Sequence, residues 1–155
     1  MTSAISEKFG LGPIAQVAYV VHDMEQALQT YGAVYGPFEH YTAQLDDCLI
    51  RGKTADCTLH VATNNAGPIE VELIAVLDGH PPHSDHLRDH GEGLHHVRFD
   101  VEDIDAKIEP MLKEGFEVIF YKVYSPEISF AYLEAPAAMG GHVVELLQMP
   151  PDAAP

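Results

Sequence analysis

Four polar residues interrupt otherwise apolar, strand-like runs, and together they make a metal-binding set. Gln16 lies in AQVAYVV, Glu72 in IEVELIAV, His96 in LHHVRFDV and Glu145 in HVVELLQ. One amide oxygen, one imidazole and two carboxylates suit a single divalent cation per chain, of the group Zn, Mn, Co, Ni or Fe. Such a cation polarises a carbonyl and stabilises an enolate, while a nearby carboxylate moves the proton. Glu145 and Glu72 are the expected bases, and a small carbonyl compound is the expected substrate.

An internal repeat ties these residues together. AQVAYVVHDM (Ala15–Met24) aligns with HHVRFDVEDI (His95–Ile104), which places Gln16 over His96. VELI (Val71–Ile74) aligns with VELL (Val144–Leu147), which places Glu72 over Glu145. Glu70 shares a strand face with Glu72, and the repeat favours Glu72 as the ligand. Side chains alternate across a strand. Val17, Tyr19 and Val21 therefore pack under helices, and Gln16, Ala18 and Val20 face the other way. By the same rule His96, Arg98 and Asp100 face the site, and the adjacent His95 turns away from it. Arg98 is an expected anchor for a substrate anion or a partner of Asp100 or Glu70, and His60 and Tyr132, mid-strand, are expected either to line the substrate site or to belong to the core.

The elements follow from periodicity and punctuation. Ile14–Val21 reads as a strand. Asp23 and Gln26 form a capping box for a helix carrying Met24, Ala27, Leu28, Tyr31, Val34 and Tyr35, and Gly36 stops it. Three extended pieces follow, Phe38–Gln44, Cys48–Arg51 and Cys57–Thr63. Asn64–Pro68 is a turn, and Ile69–Val76 is a strand. The second half repeats the order: strand Leu94–Val101, a helix capped by Asp103 with Ile104, Ile108, Met111 and Leu112, then strands Phe116–Tyr121, Phe130–Glu134 and His142–Gln148. Pro110 predicts a kink or a short first segment in that helix. The expected fold is α+β: two βαβββ modules form a cupped, mixed eight-stranded sheet with helices on its outer face. Residues 13–148 make one domain, with module 1 over 13–77, a linker over 78–93 and module 2 over 94–148. Residues 1–12 and 149–155 are expected to be loose ends.

The linker holds His80, His83, His86 and His90 beside Pro81-Pro82. It reads as a solvated, pH-sensitive loop rather than the main metal site. Cys48 and Cys57 are too few for a disulfide framework and read as reduced packing residues. A formal charge of −16 argues against nucleic acid and anionic membranes as partners. No apolar run reaches a membrane-spanning length and MTSAISEKFG has no apolar leader core, so a cytoplasmic protein is expected. No phosphate-binding glycine loop or nucleophile elbow occurs.

These residues resemble the vicinal oxygen chelate superfamily, the glyoxalase, bleomycin-resistance and extradiol dioxygenase group, from Ile14 to Gln148. GLHHVRFDVEDID (Gly93–Asp105) is similar to the second-module opening of methylmalonyl-CoA epimerases, where the second His is a metal ligand. GGHVVEL (Gly140–Leu146) is similar to their closing strand, whose Glu is another, and Tyr35–Phe38 fits the same branch. The resemblance implies metal ligation by Gln16, Glu72, His96 and Glu145, a homodimer, and proton abstraction next to a carbonyl by an isomerase or epimerase. Two departures stand out. The epimerases place His at the first ligand position, whereas Gln16 with Glu72 matches the combination in glyoxalase I, which implies a lyase on a thiol adduct as the alternative. The epimerases' separate first-module catalytic Glu has no match, with Asp46 and Asp47 the nearest candidates. Extradiol dioxygenases need two His and one Glu, against which Gln16 argues. Antibiotic-binding members of the superfamily, a non-catalytic alternative, lack the ligand set.

Overall fold

Two Asp residues start the two long helices in the same way. In a computed structural model that describes residues 8–151, the Asp23 carboxylate accepts from the Gln26 N–H and opens α1 (Met24–Tyr35). The Asp103 carboxylate accepts from the Ala106 N–H and opens α3 (Ile104–Lys113). Each satisfies an N–H left without an intrahelical partner. α3 runs through Pro110 as one helix rather than ending in a short first segment. Proline forfeits a single backbone bond there, and burial of Ile104 and Met111 beneath the helix offsets that loss.

The strands are β1 (Gln16–Val20), β2 (Glu39–Ile50), β3 (Lys53–Asn64), β4 (Glu70–Asp78), β5 (Gly93–Val101), β6 (Glu117–Ser125), β7 (Ile128–Glu134) and β8 (Val143–Gln148). They close a mixed barrel in the order β1-β4-β3-β2-β6-β7-β8-β5. Within each module the first and last strands are parallel, β1 with β4 and β5 with β8. The modules join where β1 meets β5 in antiparallel register, and where the ends of β2 and β6 pair through Leu49–Tyr121 and Ile50–Phe120.

Two of the expected short pieces merge into β2. Leu45 opposes Cys57 and Cys48 opposes Ala55, so one residue is extra at Asp46-Asp47, and Asp47 has φ 53°. That is a β-bulge, which bends a strand without ending it. Asp46 and Asp47 sit exposed at this bulge, engaged with Gln44 and Asp56.

Alternation sorts the apolar residues into three groups. Ala18, Val20, Ile74, Phe120, Tyr132 and Val143 fill the barrel with both cysteines, which are free and buried. Burial raises the Cys57 thiol to about 12 and also lifts that of Cys48. Val21, Leu73 and Ala75 pack under α1, and Val101, Val144 and Leu146 under α3.

The solvated loop expected between the modules is the largest correction. It folds as α2 (Pro82–His90), with Pro82 in the first turn and Gly91 at its end. Proline fits a first helical turn, where its missing N–H has no partner to lose. Gly79 (φ 84°) lets the chain pass close to β3, since a Cβ there would stand 2.6 Å from the Asp56 carbonyl oxygen. α2 is amphipathic: His83 is buried, Leu87 packs on the barrel core, and His80 and His90 are exposed. The N-terminal expectation also changes. Phe9 and Leu11 pack on the α3 core, and Lys107 donates to the Phe9 carbonyl at 3.1 Å. Residues 1–7 and 152–155 of the expected loose ends lie outside the described residues.

Candidate metal centre

Register brings the four donors to one point. Gln16 opposes Arg98, Ala18 opposes His96, and Arg98 in turn opposes Glu145. The His96 Nε2 lies 3.2 Å from the Gln16 amide oxygen, 2.9 Å from a Glu145 oxygen and 3.7 Å from a Glu72 oxygen. Gln16 and His96 are buried, and the Glu72 and Glu145 side chains are only 14% and 11% exposed. One ring nitrogen among three oxygens can be satisfied by its own N–H or by a shared cation, and Glu72, His96 and Glu145 place one donor atom each within 4.8 Å of the others. The residues therefore fit a divalent ion of the borderline group.

Electrostatics point the same way. Burial lifts the Glu72 carboxyl well above the usual carboxylate range, and the charges of Glu145 and Glu70 lift it further. Two carboxylates in a poorly solvated pocket resist ionising together unless a positive charge joins them.

Glu70 and Arg98 hold the first-module donor. Glu70 accepts from the Gln16 side-chain NH2 and from Arg98 at 3.2 Å, and Arg98 donates to Asp100 at 2.9 Å. With its NH2 group taken by Glu70, the Gln16 amide must turn its oxygen to His96. Arg98 is thus committed to Asp100 and Glu70 and stands as a brace at the edge of a cleft of about 520 Å³. Its burial opposes the guanidinium charge, but Glu145, Asp100, Glu70 and Glu72 outweigh that and raise its pKa.

The other expected lining residues divide. Tyr132 points into the barrel, with its ring centroid 4.7 Å from that of His96. It opposes Glu145 across the ladder, and with Glu72, Glu145, Tyr41 and Phe130 it lines an apolar cleft of about 160 Å³. Burial, then Glu145 and Glu72, keep its phenol protonated. His60 is a correction. Its strand neighbours Leu59 and Val61 take the inward positions, so His60 faces outward and pairs with His40 at 3.0 Å.

Two histidines escaped the sequence reading. β5 carries a bulge where Ala18 opposes His96 and Tyr19 opposes Leu94, leaving His95 unpaired between them. A bulge suspends strict alternation, so His95 does not turn away: its Nδ1 lies 2.9 Å from the His96 Nδ1. His83 of α2 stacks on His95, with centroids 4.8 Å apart, and its Nε2 lies 3.1 Å from the Tyr132 hydroxyl. Burial holds both imidazoles neutral, lowering their pKa values well below the usual histidine value, and neighbouring histidines add to this. The signal for His83 was present in Pro82 as a helix start, Gly91 as a stop and the His83/Leu87 spacing.

The family model described as "Glyoxalase/Bleomycin resistance protein/Dioxygenase superfamily" matches residues 15–132. The chain belongs to that superfamily, and its eight-stranded mixed sheet with outer helices has the vicinal oxygen chelate fold. Among solved structures it is similar to methylmalonyl-CoA epimerase from Mycobacterium tuberculosis, at 16% identity, TM-score 0.60, and coverage of 90% of this chain and 89% of that one. Another is a Streptomyces coelicolor methylmalonyl-CoA epimerase variant in complex with 2-nitronate-propionyl-CoA, at 20% identity, TM-score 0.61, and 92% and 97% coverage. A third is a hypothetical protein from Bacillus halodurans C-125, at 18% identity, TM-score 0.64, and 92% and 98% coverage. No curated sequence relative matches the chain. Among the described residues, no helix is long and apolar enough to cross a membrane.

Proposed function

We propose that the chain is a metal-dependent isomerase or epimerase that removes a proton next to a carbonyl and returns it. The observation that carries this reading is the convergence of Gln16, Glu72 and Glu145 oxygens on the His96 Nε2, beside an apolar cleft. Gln16, Glu72, His96 and Glu145 would hold one divalent ion. When bound, that ion supplies Lewis-acid polarisation of a carbonyl and charge stabilisation for its enolate.

The residues of the chain do the rest. Glu145 lies inside the cleft, within reach of a carbon acid bound there, and serves as base. Glu72 enters from the equivalent strand of the other module, so it reaches the same carbon from another side. A proton taken by one carboxylate and supplied by the other inverts that carbon. Tyr132 and Phe130 exclude water, which strengthens every charge interaction in the cleft. Glu70 and Arg98 fix the Gln16 amide.

Several structural neighbours are methylmalonyl-CoA epimerases, so thioesters are the first carbonyl class to screen. A lyase acting on a thiol adduct is the second reading, favoured by Gln16 at the first ligand position. The test combines elemental analysis with a solvent-deuterium exchange screen of thioesters and thiol-adduct carbonyls. One divalent ion per chain that depends on Glu72 and Glu145, with deuterium entering the α-carbon of a substrate, is the expected result. A chain that binds no divalent ion, or exchanges no α-proton in the loaded state, defeats the proposal.

A further inference from the structure

The back of His96 is as well furnished as its front. The bulge at His95 turns two imidazoles of one strand toward each other, Nδ1 to Nδ1 at 2.9 Å. α2 delivers a third, His83, stacked on His95. The His83 Nε2 is occupied by the Tyr132 hydroxyl, while its Nδ1 is fully buried with no hydrogen-bond partner among the described residues. Buried imidazole nitrogens without partners are rare, because each forfeits its hydration. One donor from each of His83, His95 and His96 lies within 4.8 Å of the others. His95 also forms a wall of two open clefts, of about 200 and 310 Å³; the rim of the smaller carries Asp85, Asp89 and Glu134 around the single cation of Arg51, and the larger is lined by His86, His90 and His142. An ion thus has an entry path, and the acidic rim attracts a cation rather than an anion.

We propose that His83, His95 and His96 form a second cation site, built of nitrogen alone and suited to a late first-row ion such as Zn or Cu. Imidazole-only donors select those ions over Mg, Ca or Mn, which prefer oxygen. The inference rests on the first site for one feature only: His96 would serve both, its Nε2 toward the carboxylates and its Nδ1 toward the histidines. With both sites filled, His96 is an imidazolate bridge, and its displaced ring proton leaves to solvent. Zinc–imidazole bonds are about 2.0–2.1 Å long, so the three rings turn inward from their present spacing when the ion binds. The simpler role for this cluster is to orient His96 through a hydrogen bond to His95. That role leaves the buried His83 Nδ1 without a purpose.

The experiment titrates the metal-stripped full chain with Co(II), following bound metal by equilibrium dialysis and coordination by visible absorption. The expected result is two equivalents, one of them with the intense band of a low-coordinate nitrogen site. His83→Leu, close in volume, should keep one equivalent and lose the intense band. The double variant Glu72→Ala/Glu145→Ala should keep one equivalent and retain the band. Wild-type saturation at one equivalent that His83→Leu leaves untouched and the double variant abolishes overturns the second site and leaves the proposed function standing. Wild type that binds no cobalt overturns both. Should His83→Leu fail to fold, the wild-type stoichiometry and the band in the double variant decide the matter.

Discussion

The two modules share a plan but support their proposed metal donors differently. Each has a strand, an Asp-capped helix and three more strands, and each sends one donor from its first strand and a carboxylate from its last. In module 1 the first donor, Gln16, is held by polar partners at a wet edge, Glu70 and Arg98. In module 2 the first donor, His96, is held from inside by His95 and Tyr132, with His83 behind both. An amide has two unlike ends and needs a partner to choose which one faces the site. An imidazole needs its plane fixed, which buried rings do well. The same backbone thus carries a donor with a polar brace on one side and one with an aromatic brace on the other.

The largest expected effect breaks the symmetry between the carboxylates. Glu145→Gln keeps a coordinating oxygen but cannot accept a proton, so turnover of an identified substrate should fall by on the order of 10²–10⁴. Metal content measured on the same preparation should hold near wild type. A metal-replete variant with near-normal turnover would move the base to Glu72. His96→Ala should reduce bound metal to background by elemental analysis, because every other donor converges on that ring. Retention of metal in that variant would show that the carboxylates and Gln16 suffice.

Glu70→Ala frees the Gln16 amide to rotate and should weaken metal affinity by roughly 10–100-fold, the usual cost of losing a ligand's orienting partner. Competition with a chelator measures it, and an unchanged constant would mean the polar brace is ornamental. Tyr132→Phe tests the aromatic brace with the smallest change. It removes the hydrogen bond to the buried His83 and should cost about 1 kcal/mol. In a domain of this size that is a fall of roughly 2–4 °C in Tm. A shift well beyond that range would point to repacking of the barrel rather than one lost bond.

The sequence by itself determined the period and the duplicated order of elements. Asp23 and Asp103 cap, alternation sends Val17 and Tyr19 one way and Gln16 and Ala18 the other, and two letter repeats pair Gln16 with His96 and Glu72 with Glu145. Those are local rules of backbone geometry, and they hold wherever a strand is regular. Tertiary structure decided what happens where a strand is not. The β2 bulge at Asp47 and the β5 bulge at His95 arise from pairing registers, which depend on the partner strand rather than on the strand's own letters. The same holds for His60, whose mid-strand position left either face open until the pairing of β3 fixed it. His83 reached His95 and Tyr132 because α2 packs on the barrel core: Pro82 and Gly91 mark the helix in the sequence, but which surface it buries depends on the barrel.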